Sequence, residues 1–250
     1  MSPEDCLKEG LSDLYKFGNF SDFTIKYGPH AANVHKAVIC AQSSYFRIAC
    51  DENGFKEGKI SMITLDTSDD PASDDVEAIG YLIYFFYHLD YEVKMPRTGS
   101  GETSQARIAA NMPGASALAH AKVFAIAEKY QVPGLKNLAV SKFKAAMEVP
   151  QQKHADLAEI ITTVFNTTPE TVRDLRDLVS ARLTTDCTLL DRKDIEIAVN
   201  NVSGLTFELL RGAHKATAAL QTARANWGPP TMCSFCAGRP ASRCYNCRKA

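Results

Sequence analysis

The sequence predicts an α+β fold, short strands packed with a cluster of helices and followed by an all-α extension, and three observations carry that reading. Residues 21–34 alternate apolar and polar side chains around a Gly28-Pro29 turn, the period-two pattern of a hairpin. From Val76 to Tyr87 and from Ala119 to Met147 the apolar residues recur at helical spacing. Beyond Pro150 only amphipathic helical stripes continue.

With 250 residues, 45% of them hydrophobic, the chain can bury a sizeable core. A formal charge of −1 argues against a protein that coats nucleic acid or an anionic membrane over its whole surface. The average hides an asymmetry: no acidic residue follows Glu208, whereas Arg211, Lys215, Arg224, Arg239, Arg243, Arg248 and Lys249 do. An acid-bearing N-terminus without an apolar run gives no signal peptide, and no apolar run approaches the ~20 residues of a membrane span. The expectation is a cytoplasmic or nuclear protein whose eight cysteines stay reduced unless they bind metal.

In chain order, Leu7, Leu11, Leu14 and Tyr15 define an N-terminal helix that ends near Gly18. Phe23, Ile25 and Tyr27 mark the first strand, and His30 to Val34 the second. Val34, Ala37, Val38, Ala41 and Tyr45 recur at i, i+3, i+4, i+7 and i+11, which predicts one amphipathic helix with that face buried. A third strand is expected over Ile60–Asp66, then an acid-rich loop that caps a nearly all-apolar, central helix from Val76. Pro, Gly, Ser and Thr replace the pattern from Glu92 to about Ala117, read as a flexible insertion. Two helices broken at Val132-Pro133-Gly134 follow. Further on come a helix over Leu157–Phe165, a second opened by a Thr168 cap with Pro169 at its first position, and two more over Leu190–Val202 and Leu205 to about Asn226. The domain division is 1–149, 150–226 and 227–250.

From about Leu7 to Met147 this order resembles the BTB/POZ domain, its fungal versions in particular. The resemblance rests on Ser21-Asp22-Phe23-Thr24-Ile25, on Val34-His35-Lys36-Ala37-Val38 with Ser43-Ser44-Tyr45-Phe46, which are similar to the family's helical hairpin, on Gly54 to Gly58, on Tyr84 to Tyr91, and on Ala121 to Leu135. It implies an interaction module rather than an enzyme, commonly a homodimer through the N-terminal helix and first strand, here Leu7, Leu11, Leu14 and Phe23. Some members recruit a cullin scaffold of ubiquitin ligases through a hydrophobic-x-acidic motif, and Phe55-Lys56-Glu57 occupies the matching position.

No nucleophile and orienting acid can be assembled around His35 from local motifs, so it reads as a hydrogen-bonded structural histidine. Cys6, Cys40, Cys50 and Cys187 read as buried or partly buried free thiols. Phosphate-binding glycine loops and H-E-x-x-H are absent from the sequence. The sharpest chemical signal is the tail: Cys233 with Cys236 and Cys244 with Cys247 form two C-x2-C pairs, the four thiolates of a tetrahedral, structural zinc. Arg239, Arg243 and Arg248 beside Phe235 and Tyr245 offer an alternative role, a transcription or chromatin-associated factor whose tail binds nucleic acid.

Overall fold

A computed structural model describes residues 2–68, 73–93, 113–148 and 156–225, with 113–116 and 225 described by backbone alone. The chain divides into two compact units, Met1–Ser203 and Gly204–Ala250. In the second unit, the described structure is one helix that opens at Leu205.

Helix α1 (Pro3–Phe17) starts at a capping box in which Ser2 and Asp5 bond each other's backbone N–H, and ends at Gly18 with φ 64°. Strands β1 (Phe23–Tyr27) and β2 (His30–Val34) form the expected antiparallel hairpin, with Phe23 opposite Val34 and Tyr27 opposite His30. Gly28 supplies the positive φ of the turn at 52°. Strand β3 (Met62–Leu65) joins the other edge of β1, parallel to it, giving the order β2-β1-β3. Phe23, Ile25, Val34, Ile63 and Leu65 are buried, and the cross-strand pairs Phe23–Val34 and Ile25–Ile63 place them on one face.

Between β2 and β3 the structure has the helical hairpin that the resemblance implies, in place of the single helix that periodicity alone predicts. The chain forms α2 (Lys36–Gln42), α3 (Ser44–Ala49) and α4 (Lys56–Ile60). Ser43 sits in extended backbone, closes α2 and caps α3 through its hydroxyl, which accepts from Phe46 N–H at 3.0 Å. This interruption resets the helical phase. Ile39, Phe46, Ala49 and Cys50 become the buried residues, while Ala37 and Ala41 are exposed and Val38 and Tyr45 only half-buried. β3 is shorter than expected because Ile60 belongs to α4 and Ser61 turns in left-handed backbone, φ 51°.

Helix α5 (Val76–His88) is the central helix the sequence predicts, with seven buried residues from Ala78 to Tyr87 and an Asp75 side chain that accepts from Ala78 N–H at 2.9 Å. α6 (Pro113–Lys129) and α7 (Pro133–Glu148) pack against each other, and α6 also packs on α5. The segment read as a flexible insertion overlaps α6. Residues 113–117 already belong to α6, Ala117 is buried, and 94–112 lie outside the described residues.

α8 (Leu157–Thr167) buries the predicted Leu157, Ile160, Ile161, Val164 and Phe165 and packs on α6. The following helix, α9 (Asp174–Thr185), begins later than predicted because Thr168 closes α8 instead of opening the next helix. Arg176 explains the arrangement. Its guanidinium, in a residue 4% exposed, donates to the carbonyls of Phe165 (2.9 Å) and Thr168 and lies 4.7 Å from the Phe165 ring. A cation thus satisfies carbonyls at the negative end of α8. A short 3-10 turn (Cys187–Asp191) and α10 (Lys193–Asn201) replace the single helix expected over Leu190–Val202, whereas α11 (Leu205–Ala225) matches its expected span.

Tyr91 and His120 tie the chain together on either side of residues 94–112: the Tyr91 hydroxyl and His120 Nδ1 are 2.8 Å apart, and Lys142 Nζ donates to the Tyr91 carbonyl at 2.6 Å. Burial, aided by the Lys142 charge, depresses the His120 imidazolium to about 4 from an ordinary 6.5. The unfolded chain therefore binds the extra proton first as pH falls through 6.5, so stability declines from there until the folded-state value near 4 is passed. The expected loss across that window is on the order of 3 kcal/mol. Urea denaturation at stepped pH should show this slope in the wild type and a flatter one in His120→Gln.

Candidate functional site

The surface that faces outward from α3 and α4 is fixed from beneath by a buried polar hub. His35 follows β2 and precedes α2, and all its polar groups are occupied: its backbone N–H donates to the Tyr87 hydroxyl oxygen (3.0 Å), Nδ1 lies 2.8 Å from the same hydroxyl, and Nε2 lies 2.7 Å from the Asn19 carbonyl. The consistent assignment has Nε2–H donating to Asn19 and Tyr87 O–H donating to Nδ1. Burial raises the Tyr87 phenol to about 12, so it keeps the proton it donates. The structural role expected of His35 holds, and its ring offers no free lone pair for general-base chemistry.

A second set of bonds pins the start of α3. Buried Ser43 donates its hydroxyl to the Tyr130 carbonyl at 2.6 Å, and Ser44 donates to Gln131 Oε1 at 2.5 Å, in the turn between α6 and α7. Phe46 fills the space below, stacked on Tyr130 at 5.6 Å and edge-on to Phe86 at 5.8 Å. The Tyr130 hydroxyl in turn donates to the buried carboxylate of Asp74, which also receives Lys129 Nζ at 2.7 Å.

Above this base the chain turns sharply between α3 and α4. Asp51 Oδ1 accepts from Asn53 N–H at 2.9 Å, and the Asp51 carbonyl accepts from Gly54 N–H at 3.1 Å. That carbonyl also faces Gly58 so closely that a Cβ there would lie 2.1 Å from it. The turn leaves Phe55 at the N-terminal cap of α4, 59% exposed, with Glu57 half-buried in the first helical turn. Phe55 does not pack under the turn. Burial and then the charges of Glu57 and Asp74 raise the Tyr45 phenol, which sets Glu57 near that ring.

The sequence pattern of the BTB/POZ domain matches residues 11–146, more than half of the chain. The chain belongs to the BTB/POZ domain family. No curated protein matches it. The BTB/POZ match spans α1 through α7 and so takes in the His35–Tyr87 hub, the Ser43 hinge and the exposed Phe55 corner. It supports a role in protein–protein interaction, the general business of these domains.

The residues singled out from the sequence fall in three places. Phe55 and Glu57 share α4. Leu7, Leu11 and Leu14 lie on α1, where Leu7 is 66% exposed and the other two are half-buried. Phe23, also assigned to the dimer face, is 2% exposed and belongs to the protomer's own core, because the pleat of β1 turns it toward Val34 and Ile25. Cys233, Cys236, Cys244 and Cys247 lie outside the described residues. Cys6 and Cys187 are exposed rather than buried, while Cys40 is half-buried and Cys50 buried.

Sequence reasoning missed Phe20. Its side chain is 90% exposed at φ 62°, a left-handed backbone that a bulky residue adopts at a cost of about 1–3 kcal/mol. The signal available was an aromatic residue just after the glycine stop of α1, with no period to explain it. Ile48 and Ile60, exposed on either side of Phe55 in the sequence, were likewise hidden by an assumed continuous helix and a strand drawn too long.

A cleft of about 1100 Å³ lies among the N-terminus of α5, α6 and α8. Its lysines are committed, Lys122 to Asp75 at 3.0 Å and Lys129 to Asp74 at 2.7 Å. Among the described residues no group of three or more His, Cys, Asp or Glu side chains is placed to hold a metal ion. The close backbone approach at Gly58 leaves no room for a Cβ, so Gly58→Ala should destabilise the domain by about 3 kcal/mol through forced displacement of the Asp51 carbonyl. A drop in thermal midpoint matched to that loss, measured beside the wild type, is the expected result.

Proposed function

We propose that the protein is a non-catalytic adaptor or scaffold that pairs with a second copy of itself and presents the α3–α4 corner to a partner. The observation that carries this reading is Phe55. A large apolar ring held in solvent on a glycine-fixed corner, with a half-buried carboxylate two residues on, suits a contact in which burial supplies affinity and Glu57 supplies register. The family resemblance points to a cullin scaffold of ubiquitin ligases as the partner to test. Capture of a cullin by the full chain should fall at least tenfold with Phe55→Ala or Glu57→Lys, a loss of about 1.4 kcal/mol or more, while circular dichroism stays unchanged. Equal capture by folded mutants removes the cullin from consideration.

Pairing would use α1, where Leu7 is exposed, Leu11 and Leu14 are half-buried, and Phe17 and Phe20 extend the apolar surface. The inner side of α1 is already occupied by α5: Tyr15 packs 5.8 Å from Tyr84 and 5.4 Å from Tyr87, and Ser12 Oγ meets His88 Nε2 at 3.3 Å. A second copy would therefore meet the remaining face. Light scattering at micromolar concentration should give twice the chain mass for the wild type and a lower mass for Leu11→Asp. A wild type that is already a monomer removes the pairing.

The tail adds a structural zinc held by Cys233, Cys236, Cys244 and Cys247, a set whose thiolates neighbouring arginines favour. This assignment, with a cytoplasmic or nuclear setting that keeps thiols reduced, rests on the spacing of the cysteines. Native mass spectrometry of the full chain should show one bound zinc that is lost in the Cys233→Ser, Cys244→Ser double variant. The acid-free stretch after Glu208 favours a second reading, in which the tail binds nucleic acid. Salt-sensitive retention on nucleic acid, abolished by deleting 231–250, would support it.

A further inference from the structure

The sheet ends in an open edge that the functions proposed above leave unused. Strand β2 lies outermost in the order β2-β1-β3, and among the described residues no strand lies beyond it. Thr24 N–H donates to the Ser61 carbonyl at 3.0 Å, so Thr24 turns its backbone toward β3, and by alternation Phe23, Ile25 and Tyr27 turn theirs toward β2. Their partners Val34, Ala32 and His30 face back to β1. The N–H and C=O groups of Ala31 and Asn33 therefore point away from the sheet, and both residues are exposed. Edges of this kind are commonly guarded by lysine, proline or a bulge. His30-Ala31-Ala32-Asn33-Val34 has no Lys, Arg, Asp, Glu or Pro and pairs residue for residue with β1.

We propose that β2 pairs antiparallel with β2 of a second copy about a two-fold axis at Ala32, so that two three-stranded sheets become one. The register is self-complementary. Ala31 exchanges backbone bonds with Asn33 of the second copy and Asn33 does the same with the other Ala31, so every outward N–H finds an acceptor. Ala32 then stands opposite itself, with no side chain beyond Cβ in the way. On the face that carries Phe23, Ile25 and Val34, one row across the join runs Ile25, Ala32, Ala32, Ile25 and the next runs Phe23, Val34, His30, Tyr27. On the opposite face Lys26 lies behind Ala31 of its own chain, so both β2 strands separate the lysines of the two copies and no like charges meet.

What adjoins the edge favours a second copy over an unrelated strand. The Asn19 carbonyl lies 2.7 Å from His35 Nε2, and Asp22 N–H donates to the Val34 carbonyl at 3.1 Å. Phe20 thus stands at the Val34 end of β2, and the apolar surface of α1 runs up to the edge. A two-fold axis at Ala32 turns that end toward the His30 end of the other copy, where the Tyr27 and His30 rings lie 5.4 Å apart. So short a strand buries far less by itself than the roughly 1,200–2,000 Å² of a stable interface. The edge needs the adjoining α1 surface, so this inference rests on the pairing proposed above.

The test uses the full chain carrying Ala32→Cys, oxidised by air with a copper catalyst at micromolar concentration. Peptide mapping should recover position 32 joined to position 32 of a second copy roughly tenfold or more above the self-link of Ala31→Cys. Only the first substitution brings a thiol opposite itself in a non-hydrogen-bonded pair, at about 4.5 Å between Cα atoms. Amide exchange gives a second reading on the unsubstituted chain: Ala31 and Asn33 N–H should exchange roughly tenfold or more slowly in the dimer than in Leu11→Asp. A dimer by light scattering that gives no self-link at position 32, with both amides exchanging as fast as in Leu11→Asp, overturns the edge contact and leaves α1 pairing standing. A wild type that is monomeric overturns both.

Discussion

The fold depends on one buried hydrogen-bond triangle. The Tyr87 hydroxyl meets both the backbone N–H and the ring Nδ1 of His35, and His35 reaches on to the Asn19 carbonyl. Three segments distant in sequence are thereby held in register: the link between α1 and β1, the junction of β2 with α2, and the central helix α5. The two bonds to Tyr87 are buried, so leaving either unmet would cost about 1–3 kcal/mol. The fully satisfied set also specifies geometry, because Tyr87 can approach from only one direction and keep both bonds. Asp22 reinforces the junction by accepting from Lys36 N–H at 2.7 Å.

Much of this architecture was legible in the sequence, and the misreadings have identifiable physical causes. The hairpin and α5 were plain because a period of two and a nearly all-apolar run leave few alternatives. Residues 34–45 misled because Val34, Ala37, Val38, Ala41 and Tyr45 fit one helical period so well. The hydroxyl of Ser43 competes for Phe46 N–H and divides that helix, an outcome decided partly by the distant Tyr130 carbonyl. Thr168-Pro169 misled for the same reason. A threonine before a proline looks like a helix start, yet buried Arg176 makes the segment a helix end. The partner of Ser43 lies far along the chain, and Arg176, although close to Thr168 in sequence, reveals its role only through the burial of its guanidinium.

The candidate site was half legible. Phe55 and Glu57 were found through resemblance, whereas their presentation follows from Gly58, where the close Asp51 carbonyl excludes a side chain. Phe23 shows the reverse error: an aromatic residue at the start of a strand suits an interface, but its parity in β1 commits it to the core. The strained, exposed Phe20 could not be seen from composition at all, since a positive φ at a non-glycine residue is a property of the folded backbone.

The bond between Tyr91 and His120 has a consequence for how the two sides of residues 94–112 are held. Because it closes the core at both edges of residues 94–112, a tyrosine and a histidine fix how far apart the described chain stands on either side of that segment. The latch thus ties the chain beyond α5 to α6 through two side chains that both lie outside residues 94–112, so the loss of either partner would be felt on both sides of that segment at once.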